Sequence, residues 1–188
     1  MELETARLIL KALKEDQVDL VLDYQLANRD FVKEWSPIRK DEFFTLAYHQ
    51  KNLEQNLSPS LLRLFLFEKK DESKVIGDIG FSNIVRGAFQ SCHLGYSMLH
   101  SKVNHGYITE ALQTSIQYVF EEMGLHRIEA NVMPRNKPSI KVLEKLGFEN
   151  EGLRKTYLKI NGVWEDHLSF VKFTSTSSIT SSNSKPNY

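Results

Sequence analysis

The chain has 188 residues, enough for one domain with a buried core. Lysine plus arginine and aspartate plus glutamate each number 24, so there is no basic excess of the kind that wholesale binding to nucleic acid or an acidic membrane requires. Cys92 is the only cysteine, which excludes an internal disulfide and a cysteine-based zinc cluster and leaves a buried, inert thiol as the expectation.

The first residues, Met1-Glu2-Leu3-Glu4, are acidic, and no apolar run follows that could serve as a signal peptide, so a cytoplasmic location is expected. Arg7 to Leu13 is a short apolar run fit for a strand. Val18, Leu22 and Leu26 then recur every four residues after Asp16, a candidate N-cap, and predict a helix. After Ser36-Pro37, Asp41 can cap a second helix with Phe43, Leu46, Ala47, Gln50 and Leu57 near one face, ended by Ser58-Pro59. Leu61 to Phe67, Val75 to Phe81 and Ser91 to Leu99 read as strands of an antiparallel meander, with the charged 69–73 segment as a solvated turn.

Beyond the polar segment Ser101 to Tyr107, helical spacing runs through Leu112, Ile116, Val119 and Met123 until Gly124. Arg127 to Val132 alternates as a strand. Ile140, Leu143 and Leu146 mark another helix, ended by Gly147. Glu151 to Ile160 and Val163 to Phe173 are strands joined by Asn161-Gly162, a hairpin signal. Residues 174–188 are Ser/Thr-rich and are expected to form a disordered tail after a 1–173 domain. The order predicts a mixed α/β sheet with packed helices, in which the helical crossover makes 91–99 and 127–132 parallel neighbours.

Two segments can carry chemistry. At Lys102 to Thr109 a strand ends, a polar loop turns and a helix begins, so unpaired N–H groups and the positive end of a helix dipole can hold a phosphate, with Gly106 permitting close approach. An ordinary loop before a helix fits the same residues. At Asn136-Lys137-Pro138-Ser139, Asn136 reads first as an N-cap and Ser139 as a first-turn helper.

The element order, Gly-Tyr-Ile-Thr-Glu-Ala-Leu at 106–112 and Asn-x-x-Ser with Leu-Gly-Phe at 136–148 together resemble the GNAT-type N-acetyltransferases. The 125–128, 151–152 and 161–167 segments narrow the likeness to the branch of the bacterial ribosomal-protein alanine N-acetyltransferases. The resemblance spans roughly residues 3–173. It implies a mostly antiparallel sheet with helices on both faces and two central parallel strands splayed to admit acetyl-CoA. Backbone groups near Met98 and Leu99 would pair with the pantetheine arm, one N–H facing the thioester oxygen. The loop Val103, Asn104, His105, Gly106, Tyr107, Ile108, leading into Thr109, would cradle the pyrophosphate. Asn136 would contact the arm and Ser139 would lie near the sulfur as proton donor, unless it is only a cap. Of the family's usual loop pattern, only Gly106 holds a fixed position. The expected reaction is direct attack by an amine in a ternary complex, with a protein N-terminus as acceptor, no metal, no membrane or nucleic-acid partner, and a monomer or homodimer.

No unique base stands out among Glu110, Glu129, Glu165, Asp166, His93 and His167, and the position where some relatives place a glutamate is Leu158. No tyrosine lies between Asn136 and Gly147, which leaves Tyr157 as a weaker proton donor. A small-molecule amine as acceptor, and an acetyl-CoA sensor without turnover, are the competing readings.

Overall fold

The run Leu61–Glu68 is apolar at nearly every position, the pattern of a strand buried on both faces. It forms β4, inside one nine-stranded sheet. The structure, a computed structural model, describes residues 1–54 and 57–174. The sheet order is β1 (Glu2–Glu4), β2 (Leu8–Lys11), β4, β5 (Gly77–Val85), β6 (Ser91–Met98), β7 (Arg127–Val132), β9 (Val163–Phe173) and β8 (Glu149–Ile160). A two-residue β3 (Leu57–Ser58) pairs beside β4.

Helices α1 (Val18–Ala27), α2 (Arg29–Val32), α3 (Leu46–Leu53), α4 (Tyr107–Glu121) and α5 (Lys137–Lys145) cover the sheet. Side chains of β4 alternate between two cores. Leu62, Leu64 and Leu66 join Leu112, Ile116 and Val119 of α4 and Ile140 and Leu143 of α5. Phe65 and Phe67 turn the other way, onto Val21, Tyr24 and Leu53. Fully burying one such side chain stabilises by about 1.5–3 kcal/mol. Helices therefore lie on both faces, as the family resemblance implies.

One pair in the sheet is parallel. β6 and β7 face each other at Ser91–Arg127, Cys92–Ile128 and His93–Glu129, and there the ladder stops. β6 runs on to Met98 against β5, and β7 to Val132 against β9. The facing edges of the two strands thus diverge.

The structure differs from the sequence reading at several elements. Asp16 lies within a single 3-10 turn, Glu15–Gln17, ahead of α1. The buried face of α1 is Val21, Tyr24 and Gln25, with half-buried Val18 packed against the same core, whereas Leu22 takes no part in that core and Leu26 is exposed. Polar Tyr24 and Gln25 point inward, so apolar spacing misplaces the face. Asp41 opens a 3-10 turn, Asp41–Phe44, and the cap of α3 is Thr45, whose hydroxyl accepts the Tyr48 N–H at 3.3 Å. Leu57 belongs to β3 rather than to that helix. Thr174 N–H bonds to His126 O at 3.0 Å; the rest of the expected tail lies outside the described residues. Cys92 is buried, and that burial pushes its thiol up to about 12, so it is the inert residue expected.

Candidate active site

Where β6 and β7 part, a cavity of about 640 Å³ opens. One end is walled by Met98, by Lys102 to Thr109 except His105, and by Asn136, Ser139, Lys141 and Lys145. The other end is walled by Gln25, Phe31, Trp35, Arg39, Arg63 and Asp78. Of the residues singled out from sequence, Met98, Val103, Asn104, Gly106, Tyr107, Ile108, Thr109, Asn136 and Ser139 line it, whereas Leu99 and His105 do not.

The edge of β6 presents alternate backbone groups. Leu99 N–H is donated within the sheet, to Ile76 O at 2.8 Å. Bonds alternate along an antiparallel ladder, so the N–H groups of Met98 and Tyr96 point away from β5, toward the gap. The carbonyl of Met98 accepts the Asn28 Nδ2–H at 3.0 Å, and Asn28 Oδ1 accepts the His100 N–H at 3.2 Å. Fully buried Asn28 thus pins the end of β6. Of Met98 and Leu99, only Met98 has an N–H directed at the gap, because Leu99 has spent its donor on Ile76.

The loop before α4 turns on two left-handed residues, Asn104 at φ 63° and Gly106 at φ 77°, which aims the first N–H groups of α4 at the cavity. His105 turns aside; its Nδ1–H donates to Val103 O at 2.7 Å, and its own carbonyl accepts Arg7 Nη1–H at 3.0 Å. Glu110 fastens the N-terminal segment to α4, accepting from Thr5 Oγ1, Arg7 N–H and Arg7 Nε at 2.5, 2.8 and 2.7 Å. Buried Glu68 accepts from Lys102 Nζ and, at 2.7 Å, from Tyr107 OH. The Lys102 hydrogen bond is the main reason its carboxyl is held down to about 2. The cavity end near this loop is cationic through Lys141 and Lys145, with Lys102 beside them in its pair with Glu68. Such a set of N–H groups and cations suits phosphate oxygens.

Across the gap, Asn136 is indeed a cap, accepting the Ser139 N–H on Oδ1 at 3.2 Å. The Ser139 hydroxyl itself has a partner that sequence reasoning missed: Tyr96 OH on β6, at 2.7 Å. Burial pushes the Tyr96 phenol up to about 12, so it keeps its proton at any ordinary pH. No tyrosine stands on α5, but the Tyr96 hydroxyl reaches Ser139 from the facing strand. Tyr157 instead accepts from Arg154 Nη1 at 3.0 Å and does not line the cavity.

None of the six candidate bases lines the cavity. Glu129 is held by Arg127 and Arg154, Glu165 by Arg135, and Asp166 accepts the Thr156 N–H. His93 Nδ1 pairs with Asn83, and His167 Nδ1–H donates to Glu165 O. The one carboxylate among the lining residues is Asp78, also missed from sequence. Its Oδ1 accepts from Tyr24 at 3.0 Å and Ser97 at 2.6 Å, and its Oδ2 from Arg63 Nε and Nη2 at 3.1 and 2.7 Å. Burial opposes the charge, but Arg63 and these donors together hold the Asp78 carboxyl below the usual aspartate range. Among the described residues no group of three or more His, Cys, Asp or Glu could hold a metal, and no helix is long and apolar enough to cross a membrane.

A split parallel pair beside a glycine turn is a cleft for a long, phosphorylated donor, and the family comparison agrees. The family model described as acetyltransferase (GNAT) domain matches residues 7–149, and the chain belongs to this family of acetyl-CoA-dependent acetyltransferases. It is 38% identical over 172 residues to the [ribosomal protein uS5]-alanine N-acetyltransferase of Escherichia coli K12, covering 89% of this chain and 88% of that protein. It is 40% identical over 149 residues to the probable N-acetyltransferase YjcK of Bacillus subtilis, covering 78% and 82%. Among solved structures, the ribosomal-protein-S5-alanine acetyltransferase of Vibrio fischeri superposes with a TM-score of 0.87 at 33% identity, over 92% of this chain and 96% of that one. Mycobacterium smegmatis RimJ in complex with CoA-disulfide gives 0.82 at 25% identity, over 92% and 84%.

Proposed function

We propose that this acetyltransferase modifies the α-amino group of a protein N-terminus, of the ribosomal-protein-alanine type. The observation that carries this is the charge of the acceptor end of the cavity. Arg39 and Arg63 stand there with a single carboxylate, Asp78, whose four hydrogen bonds leave it no capacity for a cation. A polyamine or a polycationic drug is repelled by such a wall, whereas a terminal α-amine is tolerated. The named activities of the relatives point the same way.

Acetyl-CoA brings an acetyl group activated as a thioester. Its phosphates would be held by the N–H groups at Gly106 to Thr109 and by Lys141 and Lys145, and its arm by the Tyr96 N–H and the free Nδ2 of Asn136. The Met98 N–H faces the position where negative charge develops on the carbonyl oxygen. Tyr96, through Ser139, holds a proton ready for the departing sulfur. An α-amine has a pKa of about 7.7–8.0, so roughly a tenth is already neutral near pH 7, and water suffices to take its second proton.

Thiol release with peptides beginning in alanine, serine or methionine, and with spermidine, tests the proposal, with product mass locating the acetyl group. Acetylated peptide α-amines are expected, with kcat/KM rising through about pH 8 as the acceptor deprotonates. Acetylation of spermidine alone would overturn the acceptor, and binding of acetyl-CoA without transfer to any amine would favour a sensor.

The phosphate cradle is tested at Gly106. Its φ of 77° is one that a β-branched residue adopts only under strain, and a Cβ there would lie 3.5 Å from Arg7 Nη2. Gly106→Val is expected to raise KM for acetyl-CoA by about 10- to 100-fold, the worth of one or two charge-assisted hydrogen bonds. A KM within twofold of wild type, measured by initial rates, would move the phosphates elsewhere.

A further inference from the structure

A second cavity, of about 400 Å³, adjoins the acceptor end of the first and shares Gln25, Val32, Ser36 and Arg39 with it. Three of its wall residues are cations, Arg29, Lys33 and Arg39, against one carboxylate, Asp30. These cations are poorly neutralised from within. Neither Lys33 nor Arg39 makes an ion pair among the described residues. Arg29 has only a 3.4 Å contact with Asp41, which is almost fully exposed. Two of them are instead braced on aromatic rings, Arg39 over Phe43 at 3.9 Å and Arg29 over Phe44 at 4.3 Å. Bracing of this kind fixes a guanidinium without spending its donors.

Gln25 stands at the junction of the two cavities and is only 6% exposed. Its carboxamide makes no side-chain hydrogen bond among the described residues and lines both cavities, where an entering group can reach it. A carboxamide offers one donor side and one acceptor side, the complement of a peptide bond.

From these observations we infer that the second cavity is a specificity subsite for an acidic side chain of the acceptor. Gln25 hydrogen-bonds the main chain of the incoming peptide, and the carboxylate at its second, third or fourth residue enters among Arg29, Lys33 and Arg39. The inference rests on the proposal that the acceptor is a peptide N-terminus. It makes the enzyme selective among N-termini by the charge that follows the first residue.

The test uses the full chain and a set of peptides sharing an N-terminal alanine. In this set glutamate, glutamine or lysine is placed in turn at position two, three or four. At one of these positions glutamate is expected to exceed its isostere glutamine in kcat/KM by about tenfold, and lysine by more, with the glutamate advantage shrinking as salt rises. In the Arg29→Gln and Lys33→Gln double variant the ratio of glutamate to glutamine should fall toward one. Peptides acetylated equally well whatever the charge at all three positions would overturn the subsite and leave the acceptor class intact. No acetylation of any peptide would overturn both. The salt dependence is read on the unaltered protein, so the outcome does not hang on the variant's folding.

Discussion

Tyr96→Phe should lower kcat by about 100-fold or more while leaving KM for acetyl-CoA within a few fold, the range of a lost general acid. The Tyr96 hydroxyl and Ser139 Oγ are 2.7 Å apart on opposite walls of the cleft. If they pass one proton as a unit, Ser139→Ala should cost a similar factor, and the double variant little more than either single one. Ser139→Ala also separates proton donation from capping. The cap is a bond from the Ser139 backbone N–H to Asn136 Oδ1, which alanine keeps. A donor whose leaving thiol is more acidic needs less protonation and should recover much of the lost rate. Steady-state kinetics with the two donors checks this; single variants retaining most of their kcat would remove both hydroxyls from the chemistry.

Asp78→Ala is expected to destabilise the fold by about 3–5 kcal/mol, a large share of the stability of an ordinary domain. The carboxylate is 11% exposed and neutralises Arg63, which would be left as an unpaired charge beside Arg39. Tyr24 and Ser97 would lose their acceptor as well. The pH dependence has a definite sign. The Asp78 carboxyl is lowered in the folded state, so its contribution is present above about 3.8 and is lost as pH falls through the lower folded value. Urea midpoints across this acid range should show that loss in the wild type, and Asp78→Asn should lack this part of it. A variant as stable as the wild type would mean that Arg63 finds water through the cavity.

The loop, the cap and the parallel pair were legible because each has a local signal: a glycine before a helix, Asn-x-x-Ser at a helix start, a helix between two strands. Tyr96, Asp78, Arg63 and Gln25 were not, since what defines them is a partner far along the chain. A trace was nevertheless present. Arg63 is the lone charge in the apolar run Leu61 to Phe67, and Asp78 sits between Gly77 and Ile79 in the next strand. Charges buried in adjacent strands require one another. The α1 helix hid its face for a related reason, because Tyr24 and Gln25, both carrying polar groups, are turned inward, Tyr24 packing in the core while its hydroxyl donates to Asp78.

The short ladder between β6 and β7 also has a mechanical meaning. Three facing residue pairs are all that join the two halves of the sheet directly, and beyond them each strand ends in an unmatched edge. A ligand whose arm bonds to that edge acts as a substitute strand, knitting the halves together. Folding stability should therefore climb with donor concentration, by about 2.7 kcal/mol at a hundred times its Kd. In the absence of donor, the seam between β6 and β7 is where hydrogen exchange should first report opening.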